Sequence, residues 1–207
     1  MRREKLRHIL IGAGIGIVLV VPLGTFVFVK SGLFDVAASR PHTRFTELII
    51  HDTMIHSVRR HARSIAPPAQ PFSGEQVVKG FCAYDSHCVA CHGAAAVARQ
   101  PWASGLEPSP PYLLDAPQHW SRPELFWIVR NGVKMTGMPS WRETMSDAQI
   151  WDVVAYLEAS AKMQPQTYVR WRASGVCRAP MLLPSPAPGS SSIPRRAPAQ
   201  PTGATGG

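Results

Sequence analysis

The sequence predicts an all-α protein: one membrane-crossing helix, a connector, and a small helical domain. Three observations carry that reading. Ile9 to Val29 is an apolar run broken only by small residues, Pro22 and Thr25, and about 20 such residues are enough to cross a bilayer as a helix. Further on, Ser73, Ser121 and Ser146 each stand three residues before Glu or Gln and open a segment with helical apolar spacing, which is the capping-box pattern. Finally, no segment alternates apolar and polar residues convincingly enough to read as a strand.

The elements follow in order. Arg2, Arg3, Lys5 and Arg7, against Glu4 alone, precede the apolar run. Basic residues favour the cytoplasmic side, so the chain after Lys30 is expected in the periplasm of a bacterium, with residues 1–30 as cytoplasmic tag and anchor. The rival reading is a cleaved signal peptide, with Val36-Ala37-Ala38 as a small-residue cleavage site. The run is longer than a signal core usually is, which favours an uncleaved anchor.

Residues 31–71 read as a connector. Ser31 to Arg40 is irregular. From Thr43 to Ile65, Leu48, Ile55, Val58, Ala62 and Ile65 fall on one helical stripe, with Arg59, Arg60 and Arg63 largely off it. That pattern suits a helix lying near a membrane surface or one packed on the next domain. His42, His51, His56 and His61 are scattered along it. They are read as surface or helix-face residues in preference to metal ligands. Pro67, Pro68 and Pro71 mark a boundary.

The helical domain spans residues 72–163. Its first helix carries Val77, Phe81, Tyr84 and Cys88. The second carries Leu125 to Val129 and closes near Asn131-Gly132. The third carries Ile150, Val153, Val154, Leu157 and Ala161 on one face. A Pro-rich loop, Pro101 to Pro117, separates the first two. Residues 164–207 form an extension and tail; from Ala179 onward the chain is mainly Pro, Ser, Ala and Gly, too poor in apolar surface to offset its ordering entropy.

The net charge of +9 and pI near 10.0 do not make this a nucleic-acid binder. Between Phe72 and Met163 the bases are Lys79, Arg99, Arg122, Arg130, Lys134, Arg142 and Lys162. The acids are Glu75, Asp85, Glu107, Asp115, Glu124, Glu143, Asp147, Asp152 and Glu158. The helical domain is thus mildly acidic, and the basic excess sits near the membrane and in the tail, where anionic lipid or a partner protein is the expected counterpart.

Cys88-Val89-Ala90-Cys91-His92 carries the chemistry. C-x-x-C-H is the attachment pattern for haem c. Two thiols three positions apart can each form a thioether to one vinyl group on a haem edge, and the adjacent imidazole then lies under the iron. A thioredoxin-like site wants a βαβ setting, and a zinc site wants a second ligand pair; neither is visible in the sequence. A covalent haem also supplies apolar contact that a domain of about 90 residues lacks on its own.

At these residues the chain resembles the class I cytochromes c, and especially the single-haem, membrane-anchored bacterial members related to the cytochrome c subunits of oxidases and dehydrogenases. The resemblance covers Phe72 to Ala161. It rests on Cys88-Val89-Ala90-Cys91-His92-Gly93 and on Asn131-Gly132-Val133-Lys134-Met135-Thr136-Gly137-Met138-Pro139-Ser140-Trp141. Gly80 and Tyr84 stand eight and four positions before Cys88, where the family carries a glycine and an aromatic. Val153 and Tyr156 match the residues of the last helix that cross against them. The resemblance implies an all-α fold wrapped around one haem c, with Cys88 and Cys91 attaching it and His92 and Met138 ligating its iron. Met135 is the competing sixth ligand, and either methionine also has a packing reading. It further implies a proline carbonyl that accepts from the proximal imidazole, with Pro108, Pro110 and Pro111 as candidates. Arg130, Trp120 and Trp141 are candidates for the propionates, with packing or a solvated helix end as the equal alternative. The chain departs from the simplest pattern in Cys82 and Cys177, which either form a disulfide in an oxidising compartment or leave Cys82 a buried thiol.

The implied function is one-electron transfer between redox proteins, a terminal oxidase or a periplasmic dehydrogenase, by a protein that is not an enzyme by itself. The alternative is a haem site with a displaceable methionine that binds peroxide, oxygen or nitric oxide. A third reading, a tethered assembly factor acting through residues 40–66, has little support.

Overall fold

The computed structural model describes residues 2–178, and at 2, 9, 12–15 and 17 the backbone only. The tail expected from Ala179 onward lies outside the described residues. Eight α-helices and two 3-10 turns make up the described part, with no named strand among them.

α1 (Arg2–Ser31) is one continuous helix with Pro22 inside it, about 45 Å long at ~1.5 Å per residue. Among the described residues no helix is long and apolar enough to cross a membrane; the side chains at 9, 12–15 and 17, within the apolar run, are not among them. α2 (Arg44–Ala62) starts where the sequence places it: the Thr43 hydroxyl accepts from the Thr46 N–H. Its stripe does not dock along its whole length. Val58 and Ala62 are buried where α2 meets α6 (Arg122–Asn131), whereas Leu48 stays exposed.

The body of the domain is the crossing of α3 (Gly74–His87) and α7 (Asp147–Ser160), the most extensive helix pair among the described residues. Both begin with complete capping boxes, Ser73 with Gln76 and Ser146 with Gln149. Such a cap is worth about 1 kcal/mol. At the start of α6 the Glu124 carboxylate accepts from both the N–H and the hydroxyl of Ser121.

Gly80 is the point of closest approach. A Cβ built there would lie 1.8 Å from the Asp152 carbonyl oxygen and 2.8 Å from Tyr156 Cβ, so only glycine lets the two backbones meet. Around it Phe81, Tyr84, Ile150, Val153, Val154, Tyr156 and Leu157 are buried. Phe81 meets Tyr156 edge-on, and Tyr84 packs on Tyr156 with centroids 5.0 Å apart. α7 is buried on more than one face, since Ala155, Tyr156 and Ser160 join the expected stripe, and it ends before Ala161, which is exposed.

Three shorter pieces complete the domain, α4 (Val89–His92), a 3-10 turn at Pro101–Gly105 and α5 (Ala116–His119); beyond it follow α8 (Pro165–Ser174) and a 3-10 turn at Val176–Arg178. α8 packs back on α3. Tyr168 is fully buried, meets Phe81 edge-on at 5.2 Å, and donates its hydroxyl to Asp85 at 2.6 Å. Trp171 meets the same Phe81 ring at 5.2 Å, and Arg172 lies 3.3 Å from Asp85. Cys82 is bonded to Cys177, with Cα atoms 5.4 Å apart, which settles the open question about the two extra cysteines.

Candidate haem site

The site begins at the end of α3. The Cys88 N–H still donates to Tyr84 O, and α4 continues as a single turn in which Cys91 and His92 both donate to Cys88 O. This turn brings Cys88, Cys91 and His92 together within one helical revolution. Gly93 ends it at φ +64, where a Cβ would strike the Tyr112 ring at 2.7 Å. Tyr84, buried, donates its hydroxyl to Gly93 O at 2.6 Å. The family's aromatic position therefore ties α3 to the turn that follows the motif.

Of the four cysteines, Cys82 and Cys177 are bonded to each other, and Cys88 and Cys91 are free thiols. Burial, then the neighbouring Cys91, pushes the Cys88 thiol up to about 12. It stays protonated at neutral pH.

His92 is held by one contact of the expected kind. Its Nδ1 lies 2.7 Å from Pro111 O. A carbonyl can only accept, so Nδ1 carries the proton and Nε2 presents a lone pair. Among the three prolines considered, Pro111 is the partner. Burial holds the imidazole below its usual range; the bond to Pro111 opposes this and the Arg99 charge adds to it. A neutral imidazole with a fixed tautomer is the form that ligates iron. Arg99 also braces the loop that carries this carbonyl: its guanidinium donates to the neighbouring Pro110 O and stacks on the Tyr112 ring at 4.1 Å.

The methionine loop is closed on the end of α6. Thr136 donates its hydroxyl to Val133 O at 2.7 Å and accepts from the Met138 N–H at 3.1 Å. The Ser140 hydroxyl and the Arg142 N–H both donate to Arg130 O. Gly132, at φ +66, leaves room for Pro139, which a Cβ would meet at 2.5 Å. Within this loop the two methionines part company. Met138 is half-buried and packs against the core, whereas Met135 is 80% exposed. The loop also touches the Pro-rich segment, since a Cβ on Gly137 would lie 2.8 Å from the Leu106 side chain. One segment, Pro101 to Tyr112, thus supports both the imidazole and the methionine loop.

The other candidates fall elsewhere. Arg130 pairs with Asp147 at 2.8 Å. Trp120 packs against the core, as does Trp141, which also meets His87 with centroids 5.1 Å apart. His61 stacks on Trp127 with its Nδ1 2.8 Å from Ser57 O. Among the described residues no three His, Cys, Asp or Glu side chains gather as a metal site. Sequence reasoning missed Arg99, Leu106 and the Asp85–Tyr168 pair. No motif flags them, because each matters only through a partner distant in the chain.

The donor set fits a covalently held haem: two free thiols three positions apart, an imidazole oriented through Nδ1, and a half-buried thioether. Cys88, Cys91, His92 and Met138 are the side chains that could hold it. Residues 75–157 match the family model described as cytochrome C oxidase, cbb3-type, subunit III. No curated protein and no solved structure matches the chain. The crossing of α3 and α7, the Cys88–His92 turn and this match agree, and residues 75–157 form a class I c-type cytochrome domain of the cbb3-type oxidase subunit III kind, an electron-transfer domain that carries covalent haem c.

Proposed function

We propose that the protein is a membrane-anchored one-electron carrier. Cys88 and Cys91 hold a single haem c, and His92 and Met138 ligate its iron. α1 crosses the bacterial inner membrane with its N-terminus in the cytoplasm, and the cytochrome domain stands in the periplasm. There it exchanges electrons with a terminal oxidase, as the family's description suggests for its members, or with a periplasmic dehydrogenase. When bound, haem c would supply the one-electron couple, and ligation by the soft Met138 thioether together with the His92 imidazole would favour its ferrous form.

What supports the reading is an oriented His92, whose Nδ1 is taken by Pro111 O, and a half-buried Met138 where Met135 is exposed. The residues of the chain do the rest. Pro111 fixes the ring, and the loop closed by Thr136 and Ser140 holds the thioether. The anchor is supported by the Ile9–Val29 run, by the single helix that contains it, and by its exposed apolar side chains from Val18 to Val29. The span of α1 exceeds the ~30 Å hydrocarbon core.

Optical spectra of the ferric protein, purified after co-expression with haem c maturation factors, test the ligand set. The weak sulfur-to-iron charge-transfer band at the red end of the visible spectrum is expected in wild type, lost in Met138→Ala and kept in Met135→Ala. A high-spin ferric wild type without that band would overturn methionine ligation and favour the ligand-binding alternative.

A further inference from the structure

α2 is two surfaces on one helix. Its C-terminal half is docked: Val58 and Ala62 are buried against α6, and His61 stacks on Trp127 with centroids 5.5 Å apart. Its N-terminal half presents Phe45, Leu48 and Ile49, which are 72%, 59% and 49% exposed. Their spacing, i, i+3 and i+4, makes one apolar stripe on one side of the helix.

Three observations say what covers it. Exposed apolar side chains also mark the linker as it leaves α1: Leu33, Phe34 and Val36. The linker between the two helices, residues 32–43, would reach about 40 Å if fully extended, but it is folded. Asp35 accepts from the Ala37 N–H at 2.9 Å and pairs with Arg40 at 3.1 Å, and the Arg40 N–H donates to Ala37 O. The stripe is therefore kept short of that reach from the end of α1. Lastly, Lys30, Arg40, Arg44, Arg59, Arg60 and Arg63 outnumber Asp35, Glu47 and Asp52 across residues 30–63, although Glu47 and Asp52 lie on the first turns of α2 themselves. A net-cationic stretch that exposes apolar side chains suits the headgroup layer of an anionic bilayer.

We propose that the first turns of α2 lie in the headgroup layer, with Phe45, Leu48 and Ile49 inserted among the lipids, while the last turns grip α6. The inference rests on the anchor reading of α1. Its consequence is mechanical. A domain joined to its anchor by a free tether tumbles; one gripped by an interfacial helix holds its haem at a set angle and height above the membrane. Collision with a partner in the same membrane is then confined to few orientations.

The test uses the full-length holoprotein in phosphatidylcholine bilayers containing a minority of phosphatidylglycerol, stacked as oriented films. The ferric haem EPR signal is read as the film is tilted. Wild type is expected to give a strongly tilt-dependent spectrum. Phe45→Ser/Leu48→Ser/Ile49→Ser, which alters only exposed side chains, is expected to lose that dependence while keeping its haem optical spectrum and its flotation with alkali-washed vesicles. Wild type that fails to float overturns the anchor reading and the proposal with it. Wild type that floats but shows no tilt dependence overturns the proposal alone. A triple variant that stays oriented shows that the stripe does not insert. If that variant instead loses co-isolation with an oxidase from native membranes, the occupant is a protein and the lipid proposal fails.

Discussion

Gly80→Ala lowers the melting temperature of the holoprotein by about 10 °C or more. In an ordinary helix the exchange would help, since alanine outranks glycine by about 1 kcal/mol. Here the new Cβ would sit 1.8 Å from the Asp152 carbonyl oxygen and 2.5 Å from its carbon. Both atoms are backbone of α7, so no side chain can swing aside and the helices must separate. Overpacking of a dense core costs about 1–3 kcal/mol and occasionally more; collision with backbone belongs at the upper end. Subtracting the propensity gain leaves a loss of about 2 kcal/mol or more, which moves a domain of this size by roughly 4–8 °C per kcal/mol. Gly74→Ala is the control. Nothing lies within 4 Å of its Cβ, so its melt should match wild type or rise slightly with alanine's helix preference. Circular dichroism melts of both variants decide the matter; a Gly80→Ala protein that melts with wild type would show that the α3–α7 crossing is looser than described.

Cys82→Ser/Cys177→Ser has the second large effect, and it acts mostly on the unfolded chain. The bond joins residues 95 apart in sequence. In the chain-entropy account a loop of that size is worth about 4–5 kcal/mol, and measured losses for native disulfides run about 2–5 kcal/mol. The covalent haem sits within the loop without closing another of similar length, so it does not replace the constraint. The native contacts of α8 soften the local consequence: Tyr168 stays buried on Phe81 and bonded to Asp85. Global melting is therefore expected to fall by about 10 °C or more, with trypsin cutting after Arg170 and Arg172 sooner than in wild type. A double variant that melts and digests as wild type does would mean that the disulfide adds nothing to the packing of α8.

Particular residues show why some of this molecule was readable from sequence and some was not. Ser73 and Ser146 announced their helices because a capping box is local: hydroxyl, backbone and the residue three positions on are all within one turn. Gly80, Tyr84, Val153 and Tyr156 were recognisable as a set only through the family resemblance, since a lone glycine in a helix says nothing about what crosses it. α8 begins with Pro165 and no side-chain cap, and it is buried chiefly through Tyr168 and the half-buried Trp171. Its partners, Phe81 and Asp85, lie more than eighty residues earlier, beyond any periodicity argument. The same distance hid the Cys82–Cys177 pairing, which needs a Cα separation that only the folded chain supplies. Among Pro108, Pro110 and Pro111, the choice depended on the path of a loop braced by Arg99 and Tyr112. The α2 stripe left open whether it meets a membrane surface or the next domain; Val58 and Ala62 dock on the domain, whereas Leu48, earlier in the helix, stays exposed.

The most direct measurement of the central claim is the intact mass of the denatured full-length protein made with the haem c maturation system, alongside Cys88→Ala/Cys91→Ala. Wild type is expected to carry the mass of exactly one haem that survives acid and organic extraction, and the double variant to run as bare polypeptide with Cys82 and Cys177 still bonded. A wild-type mass equal to the polypeptide alone, or a haem that extracts freely, would contradict attachment at Cys88 and Cys91 and the electron-transfer account built upon it.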